Sequence, residues 1–288
     1  MRIATSHPAF SPDTGLTKEI ARYWDELTEH YEFFLGHHIH LGYVEPGSNP
    51  SLDEATDRLV EELMELVELE RGERILDCGC GMGATSLLLA QRFGARVTGV
   101  TLSPKQVEIA RRKAEERGVD GVEFMVDDAH RLEHLEDGSF DTVWSVESCE
   151  QYLDKPLFFQ QANRVLQPGG KLLMATWCSG EEEFEDREAR EYVRFCKTFD
   201  CPYMPTIPAY CDMLREAGFV EVEGRDWSEP INGTWTLPPR VSSLRQVLTG
   251  LLKSNLRFMR FMFEVHRLKR GFQSGMVRYG VFTARKPA

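Results

Sequence analysis

The sequence predicts an α/β fold, a doubly wound, mostly parallel sheet with helices on both faces. Two observations carry this. Between Arg74 and Trp177 short apolar strands alternate with amphipathic helices, the pattern of repeated βα units. A glycine-rich turn, Gly79 to Gly83, joins the first such strand to its helix, where doubly wound sheets bind their ligands.

The elements read as follows. Ile20 to Tyr31 is helical, with Tyr23, Trp24, Leu27 and Tyr31 on one face. A turn-rich loop dense in imidazoles follows, Gly36 to Tyr43. Leu52 to Leu69 is a second amphipathic helix, with Asp53 and Glu54 in its first turn. Arg74-Ile75-Leu76-Asp77 is a strand, Ala84 to Phe93 a helix closed by Gly94, and Arg96 to Thr101 the next strand. Pro104 to Arg117 is a helix with Gly118 at its C-terminus. Val122 to Val126 and Phe140 to Ser145 are strands. Lys155 to Val165 is a helix that stops before Pro168-Gly169-Gly170, and Lys171 to Trp177 is a strand. Beyond Cys178 the order loosens. The acidic run Glu181 to Glu185 reads as a solvated loop. Tyr210 to Glu216 is a helix, Val220 to Trp227 a strand, Val241 to Leu268 one or two helices, and Arg278 to Ala284 the last strand. This divides the chain into an N-terminal helical segment (1–69), a core (70–178), and cap helices with the final strands (179–288).

Composition narrows the function. The net charge is −12, which argues against nucleic acid as a partner, because phosphate binding needs a basic surface. The acids are unevenly spread: from Arg240 onward Glu264 is the only one. The segment Leu251 to Phe263 mixes Leu, Phe and Met with Lys253, Arg257 and Arg260. It suits peripheral contact with an anionic membrane or, the favoured reading, a cap over an acceptor pocket whose arginines face the acidic body. The same complementarity suits a homo-oligomer. No apolar run is long enough to span a membrane and no leader is recognisable at Met1 to Gly15, so a cytoplasmic location is expected. The seven cysteines have no paired spacing and read as free thiols.

The glycine turn, Asp77-Cys78-Gly79-Cys80-Gly81-Met82-Gly83-Ala84, loosely fits a dinucleotide fingerprint. Two positions weigh against it. A carboxylate at Asp77 would repel a pyrophosphate but suits a ligand with an ammonium and a sulfonium, S-adenosylmethionine. Gly99 to Ser103, at the end of the next strand, lacks the acid that a dinucleotide ribose requires. Thr101 and Gln106 offer neutral partners for ribose hydroxyls. Asp128, after the third strand, can accept from an adenine amino group. A nicotinamide oxidoreductase is the weaker reading.

Taken together, Asp77-x-Gly79-x-Gly81, Val100-Thr101-Leu102-Ser103-Pro104, Asp128-Ala129, Phe140-Asp141-x-Val143-Trp144-Ser145 and Leu166-Gln167-Pro168-Gly169-Gly170 resemble class I methyltransferases. Gly36-x-His38-x-His40-x-Gly42-Tyr43, Val143-Trp144-Ser145-x-Glu147-Ser148, Ala175-Thr176-Trp177-Cys178 and Asp226-Trp227-Ser228-Glu229 narrow the resemblance to the gamma-tocopherol methyltransferase family, with plant alkaloid N-methyltransferases as relatives. It covers about residues 20 to 288. It implies a Rossmann-like, seven-stranded core and S-adenosylmethionine as cofactor, with Tyr23, Asp77, Gly79, Gly81, Gly83, Thr101, Leu102, Gln106, Asp128, Ala129 and Ser145 around it. Three departures fall on the acceptor side. Gln151 stands where the family usually has histidine, His37 where it has an acid, and Leu41 where it has histidine.

The expected chemistry is in-line transfer of a methyl group from sulfonium to a nucleophile, aided by a general base. His38, His40, Glu147 and Glu150 are the candidates. No metal is expected: His37, His38 and His40 cluster, but no acid beside them in sequence completes a ligand set. The expected acceptor is a small lipophilic aromatic or prenylated compound methylated at ring carbon. Alternatives are an alkaloid or other amine methylated at nitrogen, a sterol or terpenoid methylated at carbon, and a cofactor-binding cyclase that transfers no methyl.

Overall fold

The computed structural model describes residues 2–9, 15–238 and 256–288. Its centre is a seven-stranded sheet of β2 (Arg74–Cys78), β3 (Arg96–Thr101), β4 (Val122–Val126), β5 (Phe140–Val146), β6 (Leu166–Ser179), β8 (Val220–Asp226) and β9 (Val277–Arg285). The order is β4-β3-β2-β5-β6-β9-β8. The five strands from β4 to β6 pair in parallel. β9 runs antiparallel to both β6 and β8. The chain order reverses at β2, which has β3 on one side and β5 on the other, so a crevice opens at its carboxyl end.

The helices follow from local signals as well as from burial. α2 (Leu52–Glu65) starts with a capping box in which Ser51 and Glu54 satisfy each other's backbone N–H groups. It ends at Glu65, four residues short of the expected Leu69, with Leu66 as its C-cap. α3 (Ala84–Phe93) begins at Gly83 and ends at Gly94, both in the left-handed region. α4 (Pro104–Arg117) carries the Ser103 cap and Pro104 in its first turn. α5 (Lys155–Val165) and α7 (Ile207–Glu216) are capped by Asp154 and Thr206. Trp144, Phe158, Phe159, Leu173, Tyr279 and Phe282 are fully buried around the sheet.

Several expectations are corrected. α1 (Leu16–Leu35) is longer than expected at both ends. The acidic run is not simply a loop. Within it, β7 (Glu183–Glu185) pairs antiparallel with β1 (Arg2–Ala4), Arg2 forms ion pairs with Glu183 and Glu185, and Phe184 is buried. Next comes a helix not among those expected, α6 (Asp186–Thr198), burying Ala189, Tyr192, Phe195 and Cys196 at helical spacing. α8 (Ser228–Asn232) is short. Of the segment expected to be helical over 241–268, residues 241–255 lie outside the described residues, and α9 (Leu256–Ser274) covers the rest. Phe258 of α9 is buried against the rings of His30, Tyr31 and Phe34 of α1, so the two helices meet above the sheet edge. All seven cysteines are buried and free. Among the described residues no helix is long and apolar enough to cross a membrane.

Candidate active site

One cavity of about 780 Å³ lies over the carboxyl edge of the sheet, under α1, the imidazole loop and α9. Its lining joins the glycine turn to aromatic side chains that include Trp24, Phe34, Phe199, Trp235 and Phe258.

At the glycine end the three expected glycines divide. All have positive φ, where other residues are strained. A Cβ on Gly79 would lie 2.3 Å from the Cβ of Ser148, and one on Gly83 would strike Phe124 and Ala110. Both positions are fixed by close packing. A Cβ on Gly81 would meet nothing within 4 Å, so here the backbone faces open cavity. Gly83 does not line the cavity, a correction to its expected place around the cofactor. Ser145 is the other correction. It is buried beneath the wall and bonds Ser148 Oγ at 2.9 Å, and it is Ser148 that reaches the cavity.

Asp77, next to last in β2, accepts a 2.5 Å hydrogen bond from Ser86 Oγ. Burial pushes its carboxyl up to about 6, and the Ser86 bond pulls the other way. A nearby cation would return it to the charged form. Thr101, at the end of β3, donates to Gln106 Oε1 at 2.6 Å. Both line the cavity with Leu102, but in this arrangement they satisfy each other. Asp128 and Ala129 also line it. Asp128 Oδ1 accepts from both the backbone N–H and the ring of His130. Burial raises the Asp128 pKa and these bonds outweigh it, so the net direction is down.

Asp127 stands next to it in sequence. Its Oδ1 caps the Asp128 N–H, whereas Oδ2 is buried with no partner among the described residues. A buried acceptor left unpaired costs about 1–3 kcal/mol, so this wall is built for a donor. The sequence did show an acid there, but could not say which of two adjacent carboxylates faces inward.

Tyr23 and Trp24 of α1 line the cavity. Tyr23 OH bonds Tyr31 OH at 2.5 Å, and Trp24 Nε1 donates to Gln151 Oε1 at 3.1 Å. The departure at Gln151 therefore has a partner across the cavity.

The four candidate bases all line the cavity. Glu147 sits at φ 47°, a strained value. Its Oε1 accepts from the Leu41 N–H at 2.8 Å and the Tyr279 hydroxyl at 3.1 Å, and Oε2 from Trp177 Nε1 at 3.2 Å. It ties the imidazole loop to β6 and β9. Burial and the Glu150 charge push its pKa up to about 8, against the pull of the three donors. Glu150 accepts from Thr176 Oγ1 at 2.7 Å, and burial pushes it up to about 7. His40 Nδ1 donates to the Leu41 carbonyl at 2.8 Å, and its Nε2 meets His38 Nδ1 at 2.9 Å. Burial lowers the pKa of both rings, that of His40 to about 3.

The residues fit S-adenosylmethionine. Asp77 would face its ammonium, the open backbone at Gly81 would allow close approach, and Asp127 or Asp128 would meet the adenine amino group. A methyltransferase domain model matches residues 76–174, the strands and helices that build this half of the cavity. Fold, site and match together define a class I S-adenosylmethionine-dependent methyltransferase. The chain is 32% identical over 290 residues to the chloroplastic tocopherol O-methyltransferase of Arabidopsis thaliana, covering 95% of this chain and 83% of that protein. It is also 32% identical to the 2-methyl-6-phytyl-1,4-hydroquinone methyltransferase of Synechocystis, covering 92% and 86%. It belongs to the tocopherol methyltransferase family. Among solved structures, the [4+2]-cyclase SpnF superposes with a TM-score of 0.72 at 26% identity, covering 94% of this chain and 97% of that one. The geranyl diphosphate C-methyltransferase of Streptomyces coelicolor superposes at 0.71 with 22% identity, covering 96% and 100%, a likeness of fold alone.

Proposed function

We propose that the protein methylates a ring carbon of a lipophilic, prenylated phenol or hydroquinone. The observation that carries this is the cavity, whose lining combines the polar groups beside the glycine turn with many aromatic side chains and a buried carboxylate, Glu150. Pockets of about 300–1,000 Å³ hold drug-sized ligands, so cofactor and acceptor share one chamber here. The names of the Arabidopsis and Synechocystis relatives support the acceptor class.

The bound cofactor supplies an activated methyl group on a cationic sulfur. Asp77 and the Gly81 backbone orient it, and Asp127 and Asp128 hold its base. α1, with Tyr23 and Trp24, excludes water. Glu150 takes the phenolic proton, which raises electron density at the ring carbon; after transfer the methylated carbon gives up its own hydrogen as a proton and the oxygen is reprotonated. Its raised pKa suits a base working near neutrality. Glu147, already engaged by three donors, positions the loop that carries His38 and His40.

The test is an assay with methyl-labelled cofactor, a prenylated hydroquinone, a chromanol and an indole-type amine, with the methylated atom assigned by NMR. Carbon-methylated phenol is expected. Its kcat/KM should rise with pH through about 7, and Glu150→Gln should lose that rise. Turnover of the amine alone would overturn the reading.

A further inference from the structure

The loop after α1 holds three imidazoles in four residues, and α2 brings a carboxylate to them from twenty positions away. His37 Nε2 and His38 Nε2 lie 3.0 and 3.1 Å from the same oxygen, Asp57 Oδ1. These three atoms form the one cluster of metal-ligating type among the described residues, all within 4.8 Å of one another.

The hydrogen count within the cluster is informative. The Leu41 carbonyl can only accept, so His40 Nδ1 carries a hydrogen. A neutral imidazole has one N–H, which leaves His40 Nε2 bare. The 2.9 Å contact to His38 Nδ1 then needs its hydrogen from His38. His38 Nε2 is now bare too, and it faces a carboxylate oxygen. Two lone pairs 3.1 Å apart require a positive centre between them. An added proton supplies one, but it joins only His38 and Asp57. A metal ion supplies one as well, and it also uses the third group, His37 Nε2. The remaining bonds, His38 Nδ1–H to His40 Nε2 and His40 Nδ1–H to the Leu41 carbonyl, are the outer support that ligating histidines usually have. Lys113 is the nearby cation, and Glu32 pairs with it at 2.8 Å.

We propose that His37 Nε2, His38 Nε2 and Asp57 Oδ1 bind a divalent transition-metal ion of the zinc class. Two imidazoles and one carboxylate suit zinc and leave a fourth position for water. His38 is buried, whereas His37 and Asp57 are partly exposed, which gives the ion a path from solvent. The ion would clamp the imidazole loop onto α2, and so hold in place the segment that Glu147 grips at Leu41.

The test uses the full chain, stripped with chelator and titrated with zinc chloride by calorimetry. Cobalt(II) serves as a spectroscopic probe. One zinc per chain is expected, with visible absorption bands of tetrahedral cobalt. Asp57→Asn and His37→Ala should each weaken zinc binding by about a hundredfold or more, while exposed His134→Ala leaves it unchanged. Binding of S-adenosylhomocysteine reports that each variant is folded. Zinc binding equal in the wild type and Asp57→Asn would overturn the proposal. So would a proton NMR signal from a ring imidazolium of His38 or His40 that persists with excess zinc.

Discussion

Asp77 shows how one side chain is set for its ligand at a cost to the free protein. Its folded pKa of about 6 lies above the ordinary 3.8. The folded chain therefore binds more protons than the unfolded chain between about pH 4 and pH 6, so stability falls as pH rises through that window. The shift of about two units corresponds to about 3 kcal/mol at neutral pH. Asp77→Asn keeps an acceptor for Ser86 and removes the buried charge. We expect its ligand-free form to melt several degrees higher at pH 7.5. Its affinity for S-adenosylhomocysteine should fall about tenfold to a hundredfold. Thermal scans and calorimetry check both, and an earlier melt for the free variant would contradict this account. Asp77 and Asp128 were legible because acids beside a glycine turn and a strand end stand out in sequence. Asp127 and Asp57 were not. The first depends on which way a turn rotates two neighbouring carboxylates, and the second on a contact between two separate elements.

At the scale of the element, the glycine turn separates packing from recognition. Gly79→Ala places a methyl group against Ser148 at a positive φ. Gly81→Ala has space for its methyl, at a cost of about 1–2 kcal/mol for the left-handed backbone. We expect Gly79→Ala to lower Tm by more than Gly81→Ala does. Gly81→Ala should remain folded yet bind S-adenosylhomocysteine at least tenfold more weakly, because its Cβ enters the cofactor's space. Equal affinity in wild type and Gly81→Ala would show that the ligand does not approach this turn. The βα units from β2 to β6 were legible because apolar runs, caps and glycines agree there. β1 and β7 were not: three residues are too few for a period, and their pairing joins distant parts of the chain. α6 did carry helical spacing at Ala189, Tyr192 and Phe195, but its many charges masked it.

For the whole molecule, the sheet forms a rigid floor and the cavity roof comes from the two ends of the chain. α1 and α9 meet through Tyr31 and Phe258, and Glu147 links the roof to the floor through Leu41, Trp177 and Tyr279. Buried strands open only near global unfolding, whereas peripheral helices open locally. A ligand that touches both layers should therefore stabilise the roof more than the floor. Amide hydrogen exchange with and without S-adenosylhomocysteine measures this. Added protection should be largest in α1 and residues 36–43, present in α9, and small in β5 and β6, which are already protected. Protection confined to the glycine turn and the strands would mean that cofactor binding does not recruit the roof. The acceptor alone would then have to close it.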